Sequence, residues 1–232
     1  MLALGVAVLN FLGYAELEKL LRRQGLPPPP ILPQAWALLA PWIAWKFGGT
    51  GLLGALLLGL VLATFFALRG GGAVWAAHLS LLYPATFLSF LVLLRERWGG
   101  EALVLTFLLV WTFDTLSYFG GRFWGRHLLA PAVSPKKTWE GTLTGLLASL
   151  ALGWILGPWA WLGRAEGLLL AGLTSGLSLA GDLWESFLKR GAGVKDSGDL
   201  LPGHGGILDR FDSLAFAALG AYYFFVLSAG GL

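Results

Sequence analysis

The sequence predicts an all-α integral membrane protein, a polytopic helical bundle of about eight transmembrane helices. Three observations carry that expectation. Charged residues make up 12% of the 232 residues, about half the roughly 25% of an ordinary soluble domain, which leaves too little polar surface to keep a soluble fold dispersed. Hydrophobic residues reach 56% and mean hydropathy is +0.72, which excludes a disordered chain. The apolar runs, such as 52–68, are apolar on every face, whereas transmembrane β-strands alternate apolar and polar residues.

A bilayer span needs about 20 mostly apolar residues. Eight segments approach that: 2–17, 31–47, 51–68, 73–94, 102–120, 142–162, 167–187 and 207–227. The first is short, contains Asn10, and passes into an amphipathic stretch over 16–23 before the prolines of 27–30 stop it. No positive charge precedes its apolar run, so it does not read as a signal peptide. The rest use up the chain in spans and short loops. A single transmembrane domain over 1–232 is therefore expected, with N-terminal helices over 1–100 and catalytic helices and loops over 101–232. Tryptophans such as Trp36, Trp42 and Trp45 read as an interfacial belt.

Sorting the sixteen lysines and arginines by connection gives twelve after segments 1, 3, 5 and 7 and four after segments 2, 4 and 6. The positive-inside rule then places the odd-numbered connections in the cytoplasm. In a membrane protein this placement says more than the net charge of +3, and nucleic acid is not expected as a partner. There is no cysteine and there are three scattered histidines, so a metal would be held by oxygen ligands, which favours magnesium, calcium or manganese. Six of the thirteen carboxylates lie between Asp182 and Asp212. Acids at membrane depth are costly and are functional candidates by default. Asp114 reads either as one of these or as an acid paired with a base inside the bundle.

Two polar stretches, 114–141 and 181–213, fall on the same expected side. In the second, Asp182, Glu185, Ser186 and Lys189 share one helical face if the helix continues to Arg190. Asp209 and Asp212 lie three apart at the next helix start, so two helix ends could share a divalent cation through Asp182, Asp209 and Asp212. Gly203, Gly205 and Gly206 surround His204 and would let backbone N–H groups approach a phosphate. In the first stretch, Ser134 or Thr138 could cap the following helix, and Lys136 and Lys137 beside its N-terminus suit a polyphosphate. Basic loop residues also serve as topology anchors. Taken from the residues alone, a metal-dependent phosphate-handling membrane enzyme and an ion-coupled transporter both stand.

The second stretch reads Ser186-x2-Lys189-Arg190-x4-Lys195-Asp196-x-Gly198-x3-Pro202-x-His204-Gly205-Gly206-x2-Asp209-Arg210-x-Asp212. It resembles the signature of the phosphatidate cytidylyltransferase family, also called CDP-diacylglycerol synthase. The run SPKKTWEG over 134–141 is similar to the family's second familiar block, with Leu116-Ser117 standing where small residues are common. The resemblance is strong from about residue 102 onward and covers the N-terminal half in hydropathy only. Family members often carry a further basic, apolar segment before one ending in an acid like Glu16, so a first span is expected to be lacking here.

The resemblance implies the reaction of CTP with phosphatidate to give CDP-diacylglycerol and pyrophosphate, with magnesium and a second cation such as potassium. It implies catalytic roles for Asp182, Asp209, Lys189 and His204, and metal ligation by Asp182, Asp209 and Asp212. Substrate binding would fall to Ser134, Lys136, Lys137, Thr138, Arg190, Lys195, Asp196, Gly205, Gly206 and Arg210. It further implies membrane lipids as surroundings, a homodimer, and a site on the cytoplasmic face of the cytoplasmic membrane. A CTP-dependent enzyme acting on another lipid acceptor, such as an ether lipid or a polyprenol, is the nearest alternative.

Overall fold

In hydrocarbon a backbone must satisfy its own polar groups, which leaves helices as the form for continuous apolar runs. The computed structural model describes residues 1–29, 31–71, 73–200 and 205–229. Among these residues seven α-helices follow in order: α1 Leu2–Arg23, α2 Leu32–Phe66, α3 Val74–Leu81, α4 Phe87–Trp124, α5 Trp139–Leu156, α6 Arg164–Gly191 and α7 Leu208–Ala229. The fold class is as the sequence predicts.

The helices do not confirm the count of eight. Among the described residues, five units are long and apolar enough to cross a membrane: Leu32–Arg69, Val74–Trp124, Trp139–Ala160, Arg164–Gly191 and Leu208–Ser228. α1 is not one of them, because it runs on through the charged stretch that ends at Arg23. The other difference is that segments 2 and 3 form one unit, and segments 4 and 5 another. A straight helix of the first unit's 38 residues would be roughly 57 Å long, nearly twice the hydrocarbon thickness of about 30 Å. Neither unit is straight. Gly48 (φ 67°, ψ −167°) breaks α2 and Gly99 (φ 86°, ψ −176°) breaks α4. Positive φ there favours glycine, and both breaks lie between the segments read from the sequence.

A third break, at Tyr83 and Pro84, separates α3 from α4. Proline cannot donate to the helix ladder, and carbonyls on both sides of the break accept from side chains. Trp36 Nε1 donates to Leu81 O at 2.8 Å, and Thr86 Oγ1 to the same oxygen at 2.7 Å. Asn10 Nδ2 donates to Ala85 O at 3.0 Å. Trp36 is therefore a buried hydrogen-bond donor and not a belt residue, whereas Trp42 and Trp45 are exposed. Asn10, which weakened the first segment as a span, is fully buried against this break.

The core joins Val6, Tyr14, Leu17 and Leu21 of α1 to Ala37 and Ala40 of α2, Leu91 and Leu105 of α4, Ala171 of α6, and Ala218 of α7. Outward faces stay apolar, with Leu57, Val61, Trp111 and Leu147 exposed, as a lipid-facing surface requires. Close helix approach relies on small residues. A Cβ at Gly145 of α5 would strike Ser117 Oγ and Phe113 O of α4, and Gly153 of α5 meets Gly167 of α6 backbone to backbone.

The stretch 114–141 is more ordered than a loop. α4 continues to Trp124, and an antiparallel hairpin of β1 Leu128–Ala130 and β2 Ser134–Thr138 leads into α5 at Trp139. α6 likewise runs to Gly191, past the segment's expected end. The C-terminal ends of α4 and α6 and the N-terminal ends of α5 and α7 thereby meet at one end of the bundle.

Candidate active site

The i, i+4 spacing on α6 acts as expected. Ser186 Oγ lies 3.3 Å from Asp182 Oδ1, and Lys189 Nζ lies 3.0 Å from Glu185 Oε2. Lys189 also reaches across to α7, placing Nζ 2.6 Å from Asp209 Oδ1. The three side chains are 11%, 1% and 11% exposed for Lys189, Glu185 and Asp209. Charges buried to this degree persist only when paired and hydrogen-bonded, and one lysine here serves two acids.

The β-hairpin supplies a second pair. Lys137 Nζ sits 2.6 Å from Asp182 Oδ2. Thr138 caps α5, its hydroxyl accepting from Gly141 N at 3.2 Å, so this residue has a structural task whatever else it does. Asp182, Asp114, Arg122, Lys136, Lys137 and Thr138 are among the residues lining a cavity of about 430 Å³. Asp114 accepts from Ser178 Oγ at 2.8 Å, a hydroxyl of α6. Asp114, Asp182 and the buried Asp212 lie within electrostatic range of one another. The cavity thus sets three cationic side chains against an acidic floor, a suitable setting for a polyphosphate with a cation.

Arg190 ties the two polar stretches together through backbone, with Nε 3.3 Å from Val133 O and Nη1 3.0 Å from Val194 O. Ser134 opens β2, paired in register with Ala130. Lys195 and Asp196 lie elsewhere. With Glu16, Lys19, Arg23 and Asp199 they help to line a second cavity of about 640 Å³ between α1 and the connection from α6 to α7. Arg210 is exposed in the first turn of α7, and Asp212 Oδ1 accepts from Ser213 N at 2.6 Å. His204 lies outside the described residues.

Asp209 is held more tightly than its sequence position suggests. Oδ2 accepts from Ser197 N at 2.9 Å, Ser197 Oγ at 2.9 Å and Gly206 N at 2.7 Å. The N–H of Gly206 is therefore directed at this carboxylate, where the sequence suggested a phosphate. A Cβ on Gly205 would fall 2.6 Å from Asp209 Oδ2, so the glycine run makes room for the acid. Among the described residues no group of three or more histidines and acids is already arranged to hold a metal. The acids carry lysines instead.

Sequence reasoning missed two participants. Glu16 of α1 is buried, with Oε1 accepting from Ile207 N and Oε2 from Leu208 N, both at 2.9 Å. Ser197 is buried and places its hydroxyl 2.9 Å from Glu16 Oε2. The only signal for Glu16 was an acid at the edge of an apolar run, and Ser197 carried none beyond its place in the second stretch.

Comparison with known proteins identifies the family. The family described as the cytidylyltransferase family matches residues 1–228. The chain is 36% identical over 190 residues to phosphatidate cytidylyltransferase of Helicobacter pylori, covering 80% of this chain and 69% of that one. It is 45% identical over 137 residues to the Haemophilus influenzae protein of the same name, covering 56% and 48%, and 50% identical over 129 residues to that of Synechocystis, covering 53% and 43%. The chain thus spans about half the length of the latter two relatives. On the match over nearly its whole length, the chain belongs to the cytidylyltransferase family.

Proposed function

We propose that this protein is a phosphatidate cytidylyltransferase, joining CTP to phosphatidate with release of pyrophosphate. The observation that carries the reading is the pairing of Lys137 with Asp182 and of Lys189 with Asp209 at one end of four helices. Basic groups surround the acids there, as polyphosphate chemistry needs, whereas an ion-coupled transporter would place acids on a path across the membrane. The relatives that bear this name support the choice of substrates.

In the proposed reaction a phosphate oxygen of phosphatidate forms a bond to the α-phosphorus of CTP. The bond from that phosphorus to the β-bridging oxygen breaks, and pyrophosphate leaves with the electron pair. A phosphate monoester is largely ionised near neutral pH, so no strong base is needed and catalysis rests on positioning and charge neutralisation. Arg122, Lys136 and Lys137 face the smaller cavity and would bind phosphate oxygens there. Lys189 and Arg190 at the end of α6, with Arg210, would add positive charge at the junction, and Lys195 and Asp196 would contact substrate from the larger cavity. Magnesium, if held by Asp182, Asp209 and Asp212, would neutralise the triphosphate. The donor set is oxygen alone, as magnesium prefers, and the ion would take the place of the lysine ammonium groups that now lie 2.6 Å from Asp182 and Asp209.

The gathering of Lys136, Lys137, Lys189 and Arg190 at one end of the bundle supports a cytoplasmic orientation in the cytoplasmic membrane, where a membrane-impermeant nucleotide is available. The test is an assay of purified protein with labelled CTP, magnesium, phosphatidate and a panel of other lipid phosphates. CDP-diacylglycerol should form together with pyrophosphate. Folded protein that makes no CDP-lipid with any acceptor rejects the proposal, and product with a different acceptor alone reassigns the substrate.

A further inference from the structure

We infer that Glu16 is a positioning residue for this chemistry, acting on Asp209 through Ser197 and the start of α7; the inference rests on the proposed cytidylyl transfer. Four contacts of 2.9 Å or less surround the link. Glu16 accepts from the backbone N–H groups of Ile207 and Leu208, which open α7 and have no partner within the helix. The carboxylate thus sits at the positive end of the helix, where negative charge is favoured. Ser197 Oγ stands 2.9 Å from both Glu16 Oε2 and Asp209 Oδ2. A hydroxyl has one hydrogen, so the two acids share one donor.

The consequence for Asp209 is geometric. It lies in the first turn of α7, and a first-turn aspartate has freedom of rotamer unless its surroundings remove it. Here Oδ2 is fixed by Ser197 and Gly206, leaving Oδ1 directed at Lys189. Ser197 and Gly206 are themselves set against Glu16. A Cβ on Gly206 would collide with Glu16 Oε2 and Ser197 Oγ, and one on Gly198 would come within 2.7 Å of Glu16 Oε1. Ser197, Gly198 and Gly206 therefore pack around the Glu16 carboxylate, and the two glycines permit that approach. α1 shapes the reacting end of the bundle through these contacts, and Glu16 is only 5% exposed where it borders the larger cavity.

The test is steady-state kinetics on the full chain in detergent, with wild type, Glu16→Gln, Ser197→Ala, Ser197→Thr and the Glu16→Gln/Ser197→Ala double variant. A hydrogen bond to a charged group sets the scale, so kcat should fall roughly tenfold to a hundredfold in Glu16→Gln and in Ser197→Ala. The KM for each substrate should stay within about threefold, and Ser197→Thr should recover most of the rate. The losses should not add in the double variant, since both act through one hydroxyl. Additive losses, an unchanged kcat, or a raised KM with kcat intact would each overturn the inference. If Glu16→Gln does not fold, Ser197→Ala against Ser197→Thr decides, and equal rates for those two reject it. Wild type lacking all CDP-lipid synthesis instead rejects the proposed function, so the two failures are distinguishable.

Discussion

Replacing Lys189 with methionine keeps most of the side-chain volume and removes one charge from a cluster of three. The cation now sits 3.0 Å from Glu185 and 2.6 Å from Asp209. Removing one partner of a buried ion pair costs about 3–5 kcal/mol, because the remaining charge is left uncompensated. The burden falls unevenly. Asp209 keeps the Ser197 and Gly206 donors on Oδ2, whereas Glu185 is 1% exposed and lies beside a second buried acid, Asp212. Glu185→Gln in the Lys189→Met background should therefore recover more than half of the loss. At roughly 2–4 °C per kcal/mol for a chain of this size, Lys189→Met should lower Tm by about 6–20 °C. The twelve tryptophans provide the fluorescence signal for melting in detergent. A Tm within about 2 °C of wild type, or no recovery in the double variant, would refute the idea that this lysine neutralises a buried acid.

Other expectations follow from single contacts. Asp209→Asn should abolish CDP-lipid synthesis while the protein still melts cooperatively, since amide and carboxylate share a shape but not a charge; substantial turnover would reject its assignment as a ligand. Lys136→Ala, at an exposed cavity-lining site, should raise the KM for CTP with little change in Tm, whereas Lys137→Ala should lower kcat as well because Asp182 loses its 2.6 Å partner. Gly145→Ala should destabilise the α4–α5 contact by about 1–3 kcal/mol, as its Cβ would meet Ser117 and Phe113, and an unchanged melting curve would show that the helices separate freely. Chelation with EDTA should stop turnover, and added magnesium should restore it; full activity in the chelator would remove the metal from the reaction.

The features legible in the sequence are those that repeat along one element. The face of α6 could be placed by spacing, and Ser186–Asp182 and Lys189–Glu185 contacts follow from it. The breaks at Gly48 and Gly99 fell where the apolar runs paused. Contacts between distant elements leave no such periodic trace. Lys137 and Asp182 are 45 positions apart, and nothing local marks one as the other's partner. The strand over Ser134–Thr138 contains a proline and two lysines, and it exists because Leu128–Ala130 pairs with it. Trp36 looked like an interface residue because the carbonyl that claims it, at Leu81, lies beside a helix break more than forty residues later.

The link from Glu16 to the start of α7 also bears on the order in which the chain is made. Synthesis produces α1 long before α7, yet the N–H groups that satisfy its buried acid belong to residues 207 and 208. Until then α1 carries a carboxylate whose backbone donors have yet to be made. Its burial is compensated when α7 docks. Glu16 thus gives the unfinished bundle a reason to remain open at its first helix, and gives the finished one a latch across 191 positions of chain.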